Sequence, residues 1–277
     1  MSRPPFPRAT PDTDAGTQLR LLRRQAKLSQ LELALISGVS QRHLSCIETG
    51  RAKASPGTLH NLLSVLDVPL EHCNSLFLAA GYAPRYEATP LTAPAMDAIR
   101  EAINHVLKAN NPAPAIVLGS QWEVLAANAS TQVLFDLVGL APEAAQGLNL
   151  LTTLLQPGGL GDHLLNADEI RNLAWQRAAR EALGNPTLAT LLESLPVPQG
   201  STPLANELPP LVLTRIHSRH GELDFMSTFT TFGMPQDITV TSLRIEHLIP
   251  ANPHTWQVMT AAYEQSLDLP APAVRIG

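Results

Sequence analysis

Only Cys46 and Cys73 supply thiols in the 277 residues. That leaves neither a disulfide framework nor a paired-cysteine metal site, and a reducing cytoplasm is the expected compartment. Charge is scarce too, at 16% of residues, where an average soluble protein carries about 25%. No run approaches the ~18 uncharged apolar residues of a membrane span, and no apolar signal core follows the basic residues at the N-terminus. Membrane, secreted and fibrous classes are therefore not expected. Catalytic signatures are missing as well: there is no G-x-S-x-G, no H-E-x-x-H and no C-x-x-C. Gly159-Leu-Gly161 follows no predicted strand, so it is not a dinucleotide fingerprint. His217 and His220 flank a hairpin turn without a third ligand, which reads as a surface pair before a metal site. The chain reads as a non-enzyme that needs no metal or prosthetic cofactor.

What is present is apolar: 44% of residues, with 24 prolines and a formal charge of −5. Plentiful apolar residues and a small net charge exclude disorder, and the length suggests two domains of about 100–200 residues each. The charge is unevenly placed. Residues 16–83 carry a net of +3 and residues 84–277 a net of −8, the balance of a nucleic-acid head on a body that does not bind nucleic acid.

Residues 1–14 are proline-rich and aperiodic, a flexible arm. Residues 15–82 hold five short helical patterns, among them Leu59, Leu62, Leu63 and Leu66 at i, i+3, i+4, i+7. Residues 83–94, with three prolines, form the linker. Residues 95–265 begin with a helix carrying Met96, Ile99, Ile103 and Val106. Strands follow at Ala115–Leu118 and Trp122–Ala126. Helices fill most of 129–195, with Asn128, Asp168 and Asn185 as starts, and 196–210 is a loop. Three more strands are expected at Leu211–His217, Leu223–Phe232 and Ile238–Ile245, then a helix at Thr255–Tyr263; residues 266–277 form a tail. This order predicts a multidomain chain: an all-α helix-turn-helix domain, then an α+β domain with a five-stranded antiparallel sheet and helices over one face. It is the order of a PAS-like sensor domain.

The stretch from Leu28 to Arg51 is the most informative. Ser29 with Glu32 makes a capping box, Gly38 permits a positive-φ turn, and Ser40 caps the next helix while Val39 staples against Leu44. Two helices joined by such a turn are a helix-turn-helix. With Leu44 and Ile47 facing inward, Arg42, Ser45, Cys46 and Thr49 fall opposite, with Gln41 at the edge. Arg and Gln suit bidentate contacts to guanine and adenine edges. Gln30 at the preceding helix start suits a phosphate, as do Arg51 and Lys53 after the second helix. Ser40, at the helix start, belongs to the same DNA-facing set. Cys46 is either a tolerated small residue or an oxidisable one.

On the pattern Ser-Gln-x-x-Leu, Gly38-Val-Ser40 and Ile47-Glu-x-Gly-Arg51, residues 16–68 resemble the XRE or phage-repressor family. The resemblance implies double-stranded DNA as partner and a scaffold pair between Arg23 and Glu48. Beyond the linker, Gln121-Trp122-Glu-Val-Leu-Ala-Ala-Asn128, Leu148-Asn-Leu-Leu151 and Leu223–Gly233 resemble the ligand-binding domain of MmyB-like regulators. That likeness implies a PAS-like fold holding a fatty-acid-like ligand.

The residues of 223–232 fit two accounts. Both faces are apolar or hydroxylated, as in a strand covered on both sides or one that lines a cavity. For a cavity, Phe225, Ser227, Thr228, Phe229 and Thr230 are the candidate lining, and Arg177 and Arg215 candidate carboxylate partners. Asn128 either joins them or caps the helix after it. The leading expectation is a cytoplasmic, homodimeric one-component transcription regulator that reads operator DNA and senses an apolar small molecule. The alternatives are a ligand-free dimerisation or protein-interaction module and a haem or flavin sensor.

Overall fold

The computed structural model describes residues 14–140, 147–182, 185–198 and 211–267. Most of the expected arm, the loop residues 199–210 and the tail beyond 267 lie outside them. The described residues fall into two compact units dividing between Ala88 and Thr89, with Gln236–Ile238 grouping with the first.

The first unit is five helices: α1 (Ala15–Gln25), α2 (Gln30–Ser37), α3 (Gln41–Glu48), α4 (Pro56–Val65) and α5 (Leu70–Ala79). Local signals set their ends. Ser29 and Glu32 form the full capping box of α2, Gly38 ends it in the left-handed region at φ 68°, and Ser40 caps α3 through His43 N–H. Ser55 caps α4 through Thr58 N–H, with Pro56 at its first position. Apolar residues on each inward stripe then meet in one core, in which Leu19, Leu33, Leu44, Leu62, Leu63 and Leu76 are fully buried. Gly16 allows α1 to lie against the end of α3, since a Cβ there would sit 2.2 Å from the Ile47 carbonyl oxygen.

In the second unit, α6 (Asp97–Ala109) precedes β1 (Ala115–Leu118) and β2 (Val124–Ala127). Then come α7 (Ala129–Val138), α8 (Leu150–Leu155), α9 (Ala167–Glu181) and α10 (Pro186–Ser194). The hairpin β3 (Leu213–Ser218) and β4 (Gly221–Thr231) leads to α11 (Ile238–Ser242), β5 (Arg244–Pro250) and α12 (Pro253–Leu267). The strands form one antiparallel sheet in the order β2-β1-β5-β4-β3. Ile216, Leu223 and Phe225 on one face join the core under α7–α10 and α12. Val117 and Ile245 on the other face pack against Ile103 and Leu107 of α6.

Two expectations are corrected. The run Ile238–Ile245 is not one strand: its first five residues are α11, and the strand starts at Arg244. β-Branched Ile, Thr and Val favour a strand locally. However, Val240 and Leu243, three apart, are both buried, and Ser242 Oγ closes the turn on the Thr239 carbonyl at 2.8 Å, so tertiary burial overrides propensity. Trp122 does not open β2 but occupies the turn before it, at φ 65°. Its N–H donates to the Gly119 carbonyl at 3.2 Å. A smaller shift concerns α9, which starts at Ala167 with Asn166 before it, not at Asp168.

Candidate functional site

The outward side of α3 is one candidate surface. Leu44, Ile47 and Glu48 are buried, Gln41, Arg42 and Thr49 are exposed, and Ser45 and Cys46 are half-buried. Behind it, Arg23 Nε and Nη2 donate to the two Glu48 carboxylate oxygens at 2.6 and 2.8 Å. This bidentate pair fixes α3 on α1. Gln30 is drawn into it, its amide donating to Glu48 Oε2 at 2.8 Å, so one of the two hydrogens read as phosphate-binding is already used. Burial pushes the Glu48 carboxyl up, but the bonds from Arg23 and Gln30 outweigh it and hold the group below the usual range.

The flanking residues are similarly positioned. Arg51 Nε donates to Thr49 Oγ1 at 3.2 Å, and that hydroxyl donates to the Ser45 carbonyl. Lys53 Nζ stands 4.3 Å from the Tyr82 ring centre, and the Tyr82 hydroxyl holds the Ala54 carbonyl at 2.7 Å. Gln41, Arg42, Ser45, Cys46 and Thr49 thus share one side of one helix. Ser40 caps that helix, its Oγ accepting from His43 N–H at 3.2 Å.

The second candidate is a cavity of about 80 Å³ between the sheet and α7, α8 and α9. Ile116, Leu134, Leu154, Ile170 and Leu248 are among the apolar groups around it, and Glu246 is the one ionisable residue. Ser227 Oγ donates to Glu246 Oε1 at 2.6 Å. Burial raises the Glu246 carboxyl above the ordinary range, a push that the Ser227 bond and the Arg177 and Arg244 charges offset in part.

None of the eight residues named from the sequence lines this cavity. Phe225 lies in the adjoining core with no exposure, and Ser227 reaches the cavity wall through Glu246. Cross-strand pairing of Phe229 with Glu246 and of Thr228 with His247 puts Thr228 and Thr230 on the opposite face. There Thr230 Oγ1 bonds to His247 Nε2 at 2.9 Å. Arg215 is on that face as well, exposed and paired with Glu222 and Asp224. Asn128 is structural. Its oxygen caps α7 at Thr131 N–H and accepts from Ala115 N–H, while its amide donates to the Leu107 and Ala113 carbonyls.

Arg177 lies 4.0 Å from the ring centre of Phe229, which is 42% exposed. Its Nε donates to Glu181 Oε1 at 2.9 Å. Glu181 Oε2 accepts from Trp122 Nε1 at 2.8 Å and Arg244 Nη1 at 3.1 Å. Sequence reasoning missed Arg244, Glu246 and Glu181. In β5 the two charges alternate with Ile245 and His247, a pattern that reads as a strand with one wet face, whereas helices cover that face here.

Residues 99–262, more than half of the chain, match the family model of the MmyB-like transcription regulator ligand binding domain. Residues 19–72 match a helix-turn-helix model. Over 68 residues the chain is 46% identical to the uncharacterized HTH-type transcriptional regulator RghRB of Bacillus subtilis (strain 168), covering 24% of this chain and 47% of that protein. It is 43% identical over 68 residues to the HTH-type transcriptional repressor RghR of the same organism, covering 24% and 48%. The chain thus spans about half the length of the curated relatives it matches. A solved structure of an RNA-binding Light-Oxygen-Voltage receptor aligns with 92% of this chain and 64% of its own, at 12% identity and a TM-score of 0.27.

Proposed function

The chain belongs to the family of the MmyB-like transcription regulator ligand binding domain, and from that membership we propose a one-component regulator that reads operator DNA through α3 and senses an acyl-chain-like molecule in a PAS-like domain. It is a transcription regulator with a helix-turn-helix and an MmyB-like ligand-binding domain. In our reading residues 15–82 bind double-stranded DNA as part of a cytoplasmic homodimer. Gln41, Arg42, Ser45, Cys46 and Thr49 meet base edges, and Gln30, Ser40, Arg51 and Lys53 meet the backbone. Residues 83–94 link them to a non-catalytic sensor at 95–265.

The observation that carries the sensing reading is the apolar cavity whose lining includes a single ionisable group, Glu246. Small-molecule sites are mostly apolar with few polar groups. Each methylene buried contributes about 0.8 kcal/mol until the void is filled. A ligand that binds only the folded state raises its melting temperature. It regulates only if the DNA-competent and DNA-incompetent forms bind it with different affinity.

The test is thermal melting and DNA titration of delipidated protein with saturated fatty acids of graded length. Stabilisation that grows with length to a limit, together with a change in operator affinity, supports the proposal. No stabilisation at any length leaves a ligand-free dimerisation module as the better account.

A further inference from the structure

Residues 16–83 hold seven Lys/Arg. Arg23 is bound to Glu48, and Arg42, Arg51 and Lys53 belong to α3 and the residues after it. The other three, Arg20, Arg24 and Lys27, lie on α1 and the turn that follows it. All three are exposed, and the ion pairs among the described residues engage none of them. The acids of α2 and α3 are already occupied, Glu32 by Ser29 N–H and Glu48 by Arg23 and Gln30.

Helix geometry sets these cations on one ridge. Gly16, Arg20 and Arg24 are spaced i, i+4, i+8 along α1. Gly16 is where α1 touches the end of α3, since a Cβ there would sit 2.2 Å from the Ile47 carbonyl oxygen. One turn on, the Arg20 charge helps to hold the Glu48 carboxyl below its usual range. Lys27 follows α1 in the left-handed region at φ 57°, its N–H donating to the Arg24 carbonyl at 3.0 Å. Arg23 Nη1 ties down the same turn through the Leu28 carbonyl at 2.8 Å, and Gln30 then opens α2. The ridge therefore starts beside the end of α3 and finishes at the start of α2, the two places assigned to DNA above.

The charge pattern agrees with a polyanionic partner. Like charges at i, i+4 destabilise a helix, and Arg20 with Arg24 is such a pair. Arg24 in the last turn is favoured by the helix dipole, but Arg20 lies before that turn. A continuous row of cations kept free of acids suits a line of phosphates, whose neutralisation releases counterions.

We propose that Arg20, Arg24 and Lys27 form a second phosphate-binding row, along which the DNA backbone runs from the end of α3 to the phosphate met by Gln30. The inference rests on the DNA-reading proposal and widens the contact from α3 to α1. Phosphate contacts carry no base information, so the row strengthens binding to any duplex and steepens its salt dependence.

The experiment titrates the full-length chain against a duplex selected from random DNA and an unselected duplex of the same length, over a range of salt concentration. One variant combines Arg20→Gln, Arg24→Gln and Lys27→Gln; a second keeps the charge with Arg20→Lys, Arg24→Lys and Lys27→Arg. The Gln variant should weaken both duplexes by the same factor, about tenfold or more at low salt. It should also flatten the slope of log affinity against log salt by about 2.7, for one phosphate per cation. The charge-retaining variant should keep the wild-type slope. If the Gln variant does not fold, the three single Gln substitutions carry the test, each flattening the slope by about 0.9. An unchanged slope in the Gln variant overturns the α1 row and leaves the α3 reading intact. A loss confined to the selected duplex also overturns it, as does an equal loss of slope in the charge-retaining variant. Wild-type protein that binds neither duplex overturns the DNA-reading proposal itself.

Discussion

Arg23 and Glu48 form a two-bond ion pair at 2.6 and 2.8 Å, 25 residues apart in sequence, with both residues buried. The pair ties the end of α3 to α1 and so sets the tilt of the helix proposed to read DNA. Breaking a buried pair from one side leaves an uncompensated charge and costs about 3–5 kcal/mol. Arg23→Ala should therefore lower the melting temperature sharply and reduce operator binding, although the residue faces away from α3's outward side. Because the native Glu48 carboxyl is held below its ordinary range, its stabilisation is present above the unfolded carboxylate pKa and is lost as pH falls through the folded one. Melting curves from neutral to acid pH should fall more steeply for wild type than for Glu48→Gln.

Arg42 and Lys53 should separate base reading from phosphate binding. Arg42 is exposed on the outward side of α3, and Lys53 follows that helix. On an operator fragment selected from random DNA, Arg42→Ala should cost ~1–3 kcal/mol and relax sequence preference at one position. Lys53→Ala should weaken selected and random DNA alike and flatten the salt dependence of binding. Equal losses on selected and random DNA for Arg42→Ala would show that α3 meets DNA by another side.

Glu246 should oppose stability as pH rises. Its folded carboxyl is raised by burial, so the native state favours the protonated group and loses that advantage as pH climbs through the raised value. Glu246→Gln should match wild type in acid and exceed it in melting temperature at alkaline pH. Parallel curves across the whole range would mean that Glu246 has the same pKa folded and unfolded.

The two cysteines should differ in reactivity. Cys73 is buried and donates to the Val68 carbonyl at 3.3 Å, and burial pushes its thiol up to about 11. It therefore carries little thiolate at pH 8. Cys46 is half-buried on the outward side of α3. Iodoacetamide at pH 8 should label one site in the folded protein, at Cys46, and both sites after unfolding. Operator DNA should slow the folded-state labelling. Labelling at Cys46 that is indifferent to DNA would argue against contact there.

The sequence by itself determined the helix-turn-helix, because its signals are local. A capping box within four residues, a glycine turn and a serine cap act over one or two helical turns, so no distant contact is needed to read them. Asn128 as a helix cap and the β3–β4 hairpin were legible for the same reason. Tertiary structure decided everything that depends on which side of the sheet is covered. Alternation along β4 already puts Phe225 and Thr228 on opposite faces, but only the pairing with β5 shows that the Phe225 face is the one that carries Glu246 and the cavity. Val240 and Leu243 became a turn of helix because burial at three-residue spacing outweighed β-propensity. Arg244 and Glu246 alternate like residues of a wet strand face, and only the helices packed over that face bury them. Burial is a property of what lies above a residue, supplied here by α9 and α8, some 65 and 90 residues earlier in the chain.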